Sequence, residues 1–224
     1  MRPLFQGGGR PRSSPTIGAW GLLSPARALS GLGVSLALLG CSPTRTTQGV
    51  PNFVEVGPKL LRGGQPSAEG WKWLKEENGV TAVVKLNYES EGSDDEARRL
   101  GLRVIVNSIE PAGLDGKSPE AILNAALETR VVPSDESIAS AVRALDAHQG
   151  VMYVHCSHGQ DRTGLVVGVY RVLHDGLTKD DAYREMLHNH FHAGLHGLHE
   201  FWERFDVVRW QALRSSWKES AASP

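Results

Sequence analysis

The chain has 224 residues, 24 Lys and Arg against 25 Asp and Glu, a formal charge of −1 and 40% hydrophobic residues. That suits one soluble domain with a tail, and the even charge balance lacks the basic excess of a nucleic-acid surface. No internal repeat is visible.

Before Glu55 the only charged side chains are Arg2, Arg10, Arg12, Arg27 and Arg45. Leu29 to Gly40 is a charge-free apolar run, short for a bilayer span and suited to the core of a signal peptide. It ends Leu38-Leu39-Gly40-Cys41, which resembles the bacterial lipoprotein cleavage box. The resemblance implies a signal peptide over residues 1–40 and a lipid on Cys41. Ser42 in the next position points to the periplasmic side of the outer membrane. The alternative is an ordinary apolar N-terminal helix in a cytoplasmic protein. A tether over 41–50, a domain over 51–217 and a tail over 218–224 complete the expected organisation.

Thr44 to Val50 reads as the polar tether. Phe53–Val56 and Lys59–Arg62 read as two short strands around Gly57-Pro58. Ser67 is placed to cap a helix to about Glu77, with Trp71 and Leu74 on one face. Thr81–Leu86 is a strand, Asp94 starts a short helix to Leu100, and Arg103–Val106 is a further strand. The connection from Glu110 to Pro133 holds a helical patch at about 119–128. Ser134 caps the next helix, and Asp135 and Glu136 suit its first turn. Val151–Val154 is an apolar strand, and from Thr163 to Gly176 the pattern is an apolar-rich helix. Thr178 caps another helix. Leu195–Trp217 reads as one long closing helix, with Leu198, Phe201, Trp202, Phe205, Val208 and Leu213 on its apolar side. This alternation predicts an α/β fold with a mainly parallel central sheet flanked by helices. Ligands in such folds bind beyond the carboxyl ends of the strands.

Cys156 stands at such an end, in the run His155-Cys156-Ser157-His158-Gly159-Gln160-Asp161-Arg162-Thr163-Gly164. Strand, tight loop and helix together aim backbone N–H groups and a helix dipole at one point, which makes an anion site. A thiol attacks as its thiolate, and a helix N-terminus with a guanidinium favours that anion. Arg162 can grip two oxygens of a phosphate, Gly159 permits the tight turn, and Thr163 adds a hydroxyl. These parts suit attack on a phosphate monoester through a covalent thiophosphate.

The same residues resemble the cysteine-dependent protein tyrosine phosphatase superfamily, in particular its compact dual-specificity branch. His155, Cys156, Gly159, Arg162, Thr163 and Gly164 carry the match, and Leu60-Leu61-Arg62-Gly63-Gly64-Gln65-Pro66 is similar to the opening hairpin of the atypical members. The resemblance implies a metal-free phosphatase with no cofactor. Cys156 is its nucleophile and Arg162 its phosphate clamp. Ser157, His158, Gly159, Gln160, Thr163 and Gly164 line the substrate, and His155 supports the loop. Two residues are candidates for the proton donor to the leaving oxygen. Asp115, in GLDGKSP, resembles the Asp-Gly-x-x-Pro general-acid loop. Asp161, directly before Arg162, resembles the loop Asp of the phosphoinositide phosphatases in the same superfamily. Asp115 ranks slightly ahead. The substrate is a phosphorylated protein, or else a phosphoinositide or inositol phosphate. A silent phosphate-binding module is the reading from another class. His188, His190, His192, His196 and His199 cluster in sequence, but Gly194 and Gly197 interrupt their helical spacing, and no metal site is expected there.

Overall fold

A computed structural model of the chain describes residues 46–109 and 131–222, with side chains through Trp217. The signal segment, Cys41, Glu110, Asp115 and the helical patch at 119–128 lie outside the described residues.

The chain enters through a small hairpin, β1 (Thr46–Thr47) and β2 (Val50–Pro51), where a polar tether was expected. Val50 explains the difference: it is fully buried, in a cluster with Trp71 and Tyr153. Next come β3 (Val54–Gly57), β4 (Leu60–Gly63), α1 (Ala68–Glu76), β5 (Val80–Lys85), α2 (Asp95–Arg99) and β6 (Arg103–Val106). After the undescribed segment follow α3 (Asp135–Ala147), β7 (Val151–His155), α4 (Asp161–His174), α5 (Lys179–His188), α6 (His196–Arg204) and α7 (Val207–Ala222).

Five strands form one mixed sheet in the order β3-β4-β7-β5-β6, parallel throughout except for the antiparallel edge strand β3. Side chains alternate across it. Leu61, Val83 and Tyr153 face α1 and α2 in one cluster, with Trp71, Leu74, Ala97 and Leu102. Leu60, Ala82, Val84, Met152 and Val154 face the other side, which the helices from α3 onward cover with Ile138, Val142, Leu165, Val169, Phe201 and Trp210. Both faces of β7, and of β5 from Ala82 onward, are therefore buried, as the apolar runs of these segments require.

Local caps set several boundaries. Ser67 Oγ accepts from Gly70 N, Ser134 Oγ from Ser137 N, and Thr178 Oγ1 from Asp181 N. Two expectations are corrected. The helix after the loop starts at Asp161 rather than Thr163, so Asp161 and Arg162 belong to its first turn. The closing helix is two helices, because Phe205 is extended (φ −62°, ψ 107°) and Asp206 Oδ1 caps the second by accepting from Arg209 N at 3.0 Å. The second helix also runs on to Ala222, past the Trp217 end expected for the closing helix.

Candidate active site

Strand β7 delivers His155 to the carboxyl end of the sheet, where Gly63 of β4 and Lys85 of β5 stand in register with it. Cys156 follows as a free thiol, 3% exposed. The chain turns through Ser157–Gln160 and enters α4. Gly159 has φ 73°, in the left-handed region that suits glycine. Space demands glycine as well, since a Cβ there would lie 2.1 Å from the carbonyl carbon of Gly63. The end of β4 is thus pressed against the back of the loop. Gln65 N donates to the Ser157 carbonyl at 2.9 Å, and the Tyr153 hydroxyl donates to the Gly64 carbonyl at 2.6 Å.

Arg162 is buried, and its fork meets a carboxylate the sequence reading did not single out. Nη1 donates to Glu91 Oε2 at 2.7 Å, Nη2 to Glu91 Oε1 at 3.0 Å, and Nη2 also reaches Ser157 Oγ at 3.3 Å. Such a bidentate pair fixes the plane of the guanidinium and leaves it further donors for an anion. Burial works against the Arg162 charge, but Glu91, Cys156 and Asp161 together hold its pKa above the ordinary value. Thr163, next along, is fully buried, and its Oγ1 has no hydrogen-bond partner.

His155 is fully buried, edge-on to Trp71 and stacked on Tyr153. Its Nε2 faces Asp94 Oδ2 at 3.1 Å, and its Nδ1 lies 3.3 Å from the Cys156 carbonyl. Asp94 stands at the N-cap position of α2. Its side chain makes no cap bond and turns inward, where it accepts from Gln65 Nε2 at 2.9 Å and stands 3.7 Å from Lys85 Nζ. Burial pushes the Asp94 carboxyl up, yet His155, Gln65 and Lys85 outweigh it and hold the pKa below its ordinary value. Lys85, fully buried, pairs with Glu89 at 2.7 Å and donates to the Gly92 carbonyl. The short turn Glu89–Glu91, which presents Glu91 to Arg162, is therefore tied to the network that holds His155.

Of the two acid candidates, only Asp161 is described. Its Oδ1 accepts from His192 N at 2.8 Å and lies 3.0 Å from His192 Nδ1. Burial raises its pKa, against a smaller downward pull from His192 and Arg162. His158 is exposed on the loop, while Ser157 and Gln160 are partly buried. His199 Nδ1 lies 3.3 Å from the Tyr183 hydroxyl. Among the described residues, no three His, Cys, Asp or Glu gather to hold a metal ion.

Glu91, Asp94, Lys85 and Arg62 were not read from the sequence as site residues. A signal existed for two of them: Lys85 closes the apolar run Val80–Lys85, and Arg62 interrupts Leu60–Gly63, both at strand ends facing the site. Glu91 and Asp94 sit in a polar loop and look like any other surface acid.

Residues 48–199 match the sequence profile of the family described as DSP-PTPase phosphatase fused to NAD+ kinase. The dual specificity protein phosphatase TpbA of two Pseudomonas aeruginosa strains is similar, at 32% identity over 142 residues and 30% over 137. The matches cover 62% and 60% of this chain but 55% and 53% of those proteins, so the chain spans about half the length of the curated relatives it matches. The crystal structure of P. aeruginosa TpbA resembles this one with a TM-score of 0.60 at 22% identity, over 77% of this chain and 95% of that one. The core catalytic domain of the PP-IP phosphatase SIW14 from S. cerevisiae, in complex with citrate, gives 0.58 at 17% identity, over 76% and 95%. At those identities the structural likeness is one of fold: a mixed central sheet flanked by helices. The profile match spans more than half of the 224 residues and includes the whole loop from His155 to Gly164, and by that measure the chain belongs to the family of DSP-PTPase phosphatases fused to NAD+ kinase.

Proposed function

We propose that this protein hydrolyses phosphate monoesters through a cysteinyl-phosphate intermediate, as a protein tyrosine or dual-specificity phosphatase. The observation that carries the reading is Cys156 at the start of a turn closed by Arg162, whose guanidinium Glu91 orients from behind. Membership of the DSP-PTPase family and the names of the TpbA relatives support it. So does the crystal structure of a cysteine-to-serine variant of P. aeruginosa TpbA in complex with pTyr, as a fold relative.

In this mechanism Cys156 Sγ attacks phosphorus, the bond to the leaving oxygen breaks, and a carboxylic acid gives that oxygen its proton. Asp115 or Asp161 is the donor. Loop N–H groups from Ser157 to Thr163 and the Arg162 fork hold the non-bridging oxygens where charge develops. The unpartnered Thr163 hydroxyl is a donor for the sulfur as the thiolate leaves. Water then attacks phosphorus, the P–S bond breaks, and inorganic phosphate and the thiol are regenerated. No step draws on a metal or cofactor.

The test is turnover of p-nitrophenyl phosphate in EDTA. Cys156→Ser is expected to abolish it while tungstate still binds, and Arg162→Lys to cripple it, because an ammonium lacks the bidentate fork. Activity in Cys156→Ser, or a wild-type requirement for an added divalent metal, refutes the reading. A protein that binds tungstate without turnover is the silent phosphate-binding module.

A second reading, a phosphoinositide or inositol-phosphate phosphatase, is favoured by one observation. Asp161, beside Arg162, has a raised pKa, as a proton donor needs. The fold relative SIW14, a PP-IP phosphatase, is in keeping with it. Comparing phosphotyrosine, phosphothreonine, phosphoinositide and inositol-phosphate substrates separates the two.

Export belongs to the same proposal. The apolar run ending in Cys41 supports cleavage before that residue and a lipid on its thiol, which anchors the enzyme to a membrane on the periplasmic side. Among the described residues no helix is long and apolar enough to cross a membrane, and the anchor in this reading is the lipid. Mature protein should begin at Cys41 and sediment with membranes, and Cys41→Ala should release it or leave it unprocessed. An intact N-terminus on cytosolic protein refutes this.

A further inference from the structure

We propose that Arg62 is a positioning residue of the phosphate loop: it holds the Gly159 and Gln160 carbonyls turned away from the anion and stands behind the loop as a second cation. Arg62 is the third residue of β4 and is 1% exposed. Its Nη2 donates to the Gly159 carbonyl at 2.8 Å and lies 3.4 Å from the Gln160 carbonyl. Asn52 Nδ2 donates to the same Gly159 carbonyl at 2.9 Å and to the Asn189 carbonyl at 3.3 Å.

The geometry has a direct consequence. In a planar trans peptide the C=O of one residue and the N–H of the next point opposite ways. Pulling the Gly159 carbonyl towards Arg62 therefore aims Gln160 N–H away from Arg62, and pulling the Gln160 carbonyl does the same for Asp161 N–H. Those are N–H groups an oxyanion over Cys156 would use. The Gly159 carbonyl, and with it the inward-facing Gln160 N–H, is thus held from outside the loop by Arg62 together with Asn52, 97 and 107 positions earlier in the chain.

The charge of Arg62 is also uncancelled by contact. Among the described residues no carboxylate lies within ion-pair distance of it, and its Nε has no hydrogen-bond partner. Such a group is costly to bury. Burial lowers its pKa to about 10, so it remains a cation at neutral pH. The charged and titratable groups around it are Cys156, Glu185, Tyr153 and Asp161, with Cys156 the strongest of them. The cost of burying Arg62 is sustained because an anion is meant to sit in front of it.

This deepens the phosphatase reading, and the test is built so that the two can fail separately. Tungstate, a dianion, is titrated calorimetrically into wild type, Arg62→Met and Arg62→Lys, below each protein's unfolding temperature. Arg62→Met is expected to bind tungstate ~30-fold or more weakly, since the charge is gone and only Asn52 still holds the Gly159 carbonyl from outside the loop. Arg62→Lys keeps the charge but bridges the two carbonyls poorly, and should lose ~3- to 10-fold. In turnover, kcat/KM should fall by similar factors for aryl and alkyl phosphates, as expected for a residue that positions the loop and moves no proton. A purely stabilising role would lower the unfolding temperature and leave the tungstate constant unchanged. Arg62→Met binding within twofold of wild type overturns the proposal. If that variant does not fold, Arg62→Lys binding within twofold of wild type overturns it. Absent wild-type turnover refutes the phosphatase reading alone, because the tungstate comparison still decides the role of Arg62.

Discussion

Gly159→Ala puts a methyl group where the backbone of β4 already stands. The new Cβ would lie 2.1 Å from the carbonyl carbon of Gly63, 2.3 Å from its oxygen and 2.4 Å from the nitrogen of Gly64. All three are backbone atoms of the strand end that pairs with β7, so no side chain can swing aside. Restoring an ordinary contact of ~3.5 Å needs the loop to move by about 1 Å or more. Holding alanine at φ 73° adds roughly 1–2 kcal/mol on top of that displacement. The conformational part alone should lower Tm by about 2–8 °C for a chain of this size. Shifting the nucleophile by about 1 Å should cost ~10²-fold in kcat/KM. Gly164→Ala is the internal control: its Cβ would sit 3.4 Å from Phe191 Cδ2, in a helix where alanine gains up to about 1 kcal/mol, and Tm should hold or rise. The assays are thermal unfolding and steady-state kinetics on p-nitrophenyl phosphate. A folded Gly159→Ala protein with kcat/KM within threefold of wild type would show that the strand end does not mould the loop.

Four further substitutions test the remaining assignments. Glu91→Gln keeps the shape of the Arg162 pair but removes its charge, and charge-assisted bonds are about twice as strong as neutral ones; kcat/KM and tungstate affinity should both fall, by ~10-fold or more, and unchanged values would deny Glu91 its orienting role. Asp94 has a folded pKa below its ordinary value of 3.8, so its contribution to stability is complete above that value and is lost as pH falls through the folded pKa. The stability gap between wild type and Asp94→Asn should therefore close in acid below about pH 4, and a pH-independent gap would contradict a carboxylate at Asp94. Asp115→Asn should lose ~10²–10⁴-fold on alkyl phosphates, much less on activated aryl phosphates, and with it the alkaline limb of the pH–rate profile. Asp161→Asn should weaken both substrates alike, and leaving-group dependence in that variant alone would transfer the acid role to Asp161 and favour the phosphoinositide reading.

The local parts of this protein are legible in the sequence. Ser67, Ser134 and Thr178 cap helices because a side-chain oxygen need only reach a backbone N–H three residues on. The apolar runs at 82–84 and 151–154 become buried central strands because no charged or exposed polar side chain interrupts them until Lys85 and His155. The loop from Cys156 to Arg162 is legible for the same reason: thiol, turn glycine and guanidinium lie within seven residues, so their spacing alone carries their geometry. Tertiary structure decides what contiguity cannot. Whether Asp94 caps a helix or holds His155 depends on β7 lying beside β5, and the sequence around Asp94 serves both outcomes. Glu91 becomes the partner of Arg162, and Arg62 the anchor of Gly159, only when strands distant in the chain bring their carboxyl ends together. The break at Phe205–Asp206 is itself local, a cap in which Asp206 Oδ1 accepts from Arg209 N, but the apolar period runs straight through it and hides it in the sequence. Short-range hydrogen bonds and period are written in neighbouring residues; the charges that orient a site are paired through space, and there sequence distance carries no information.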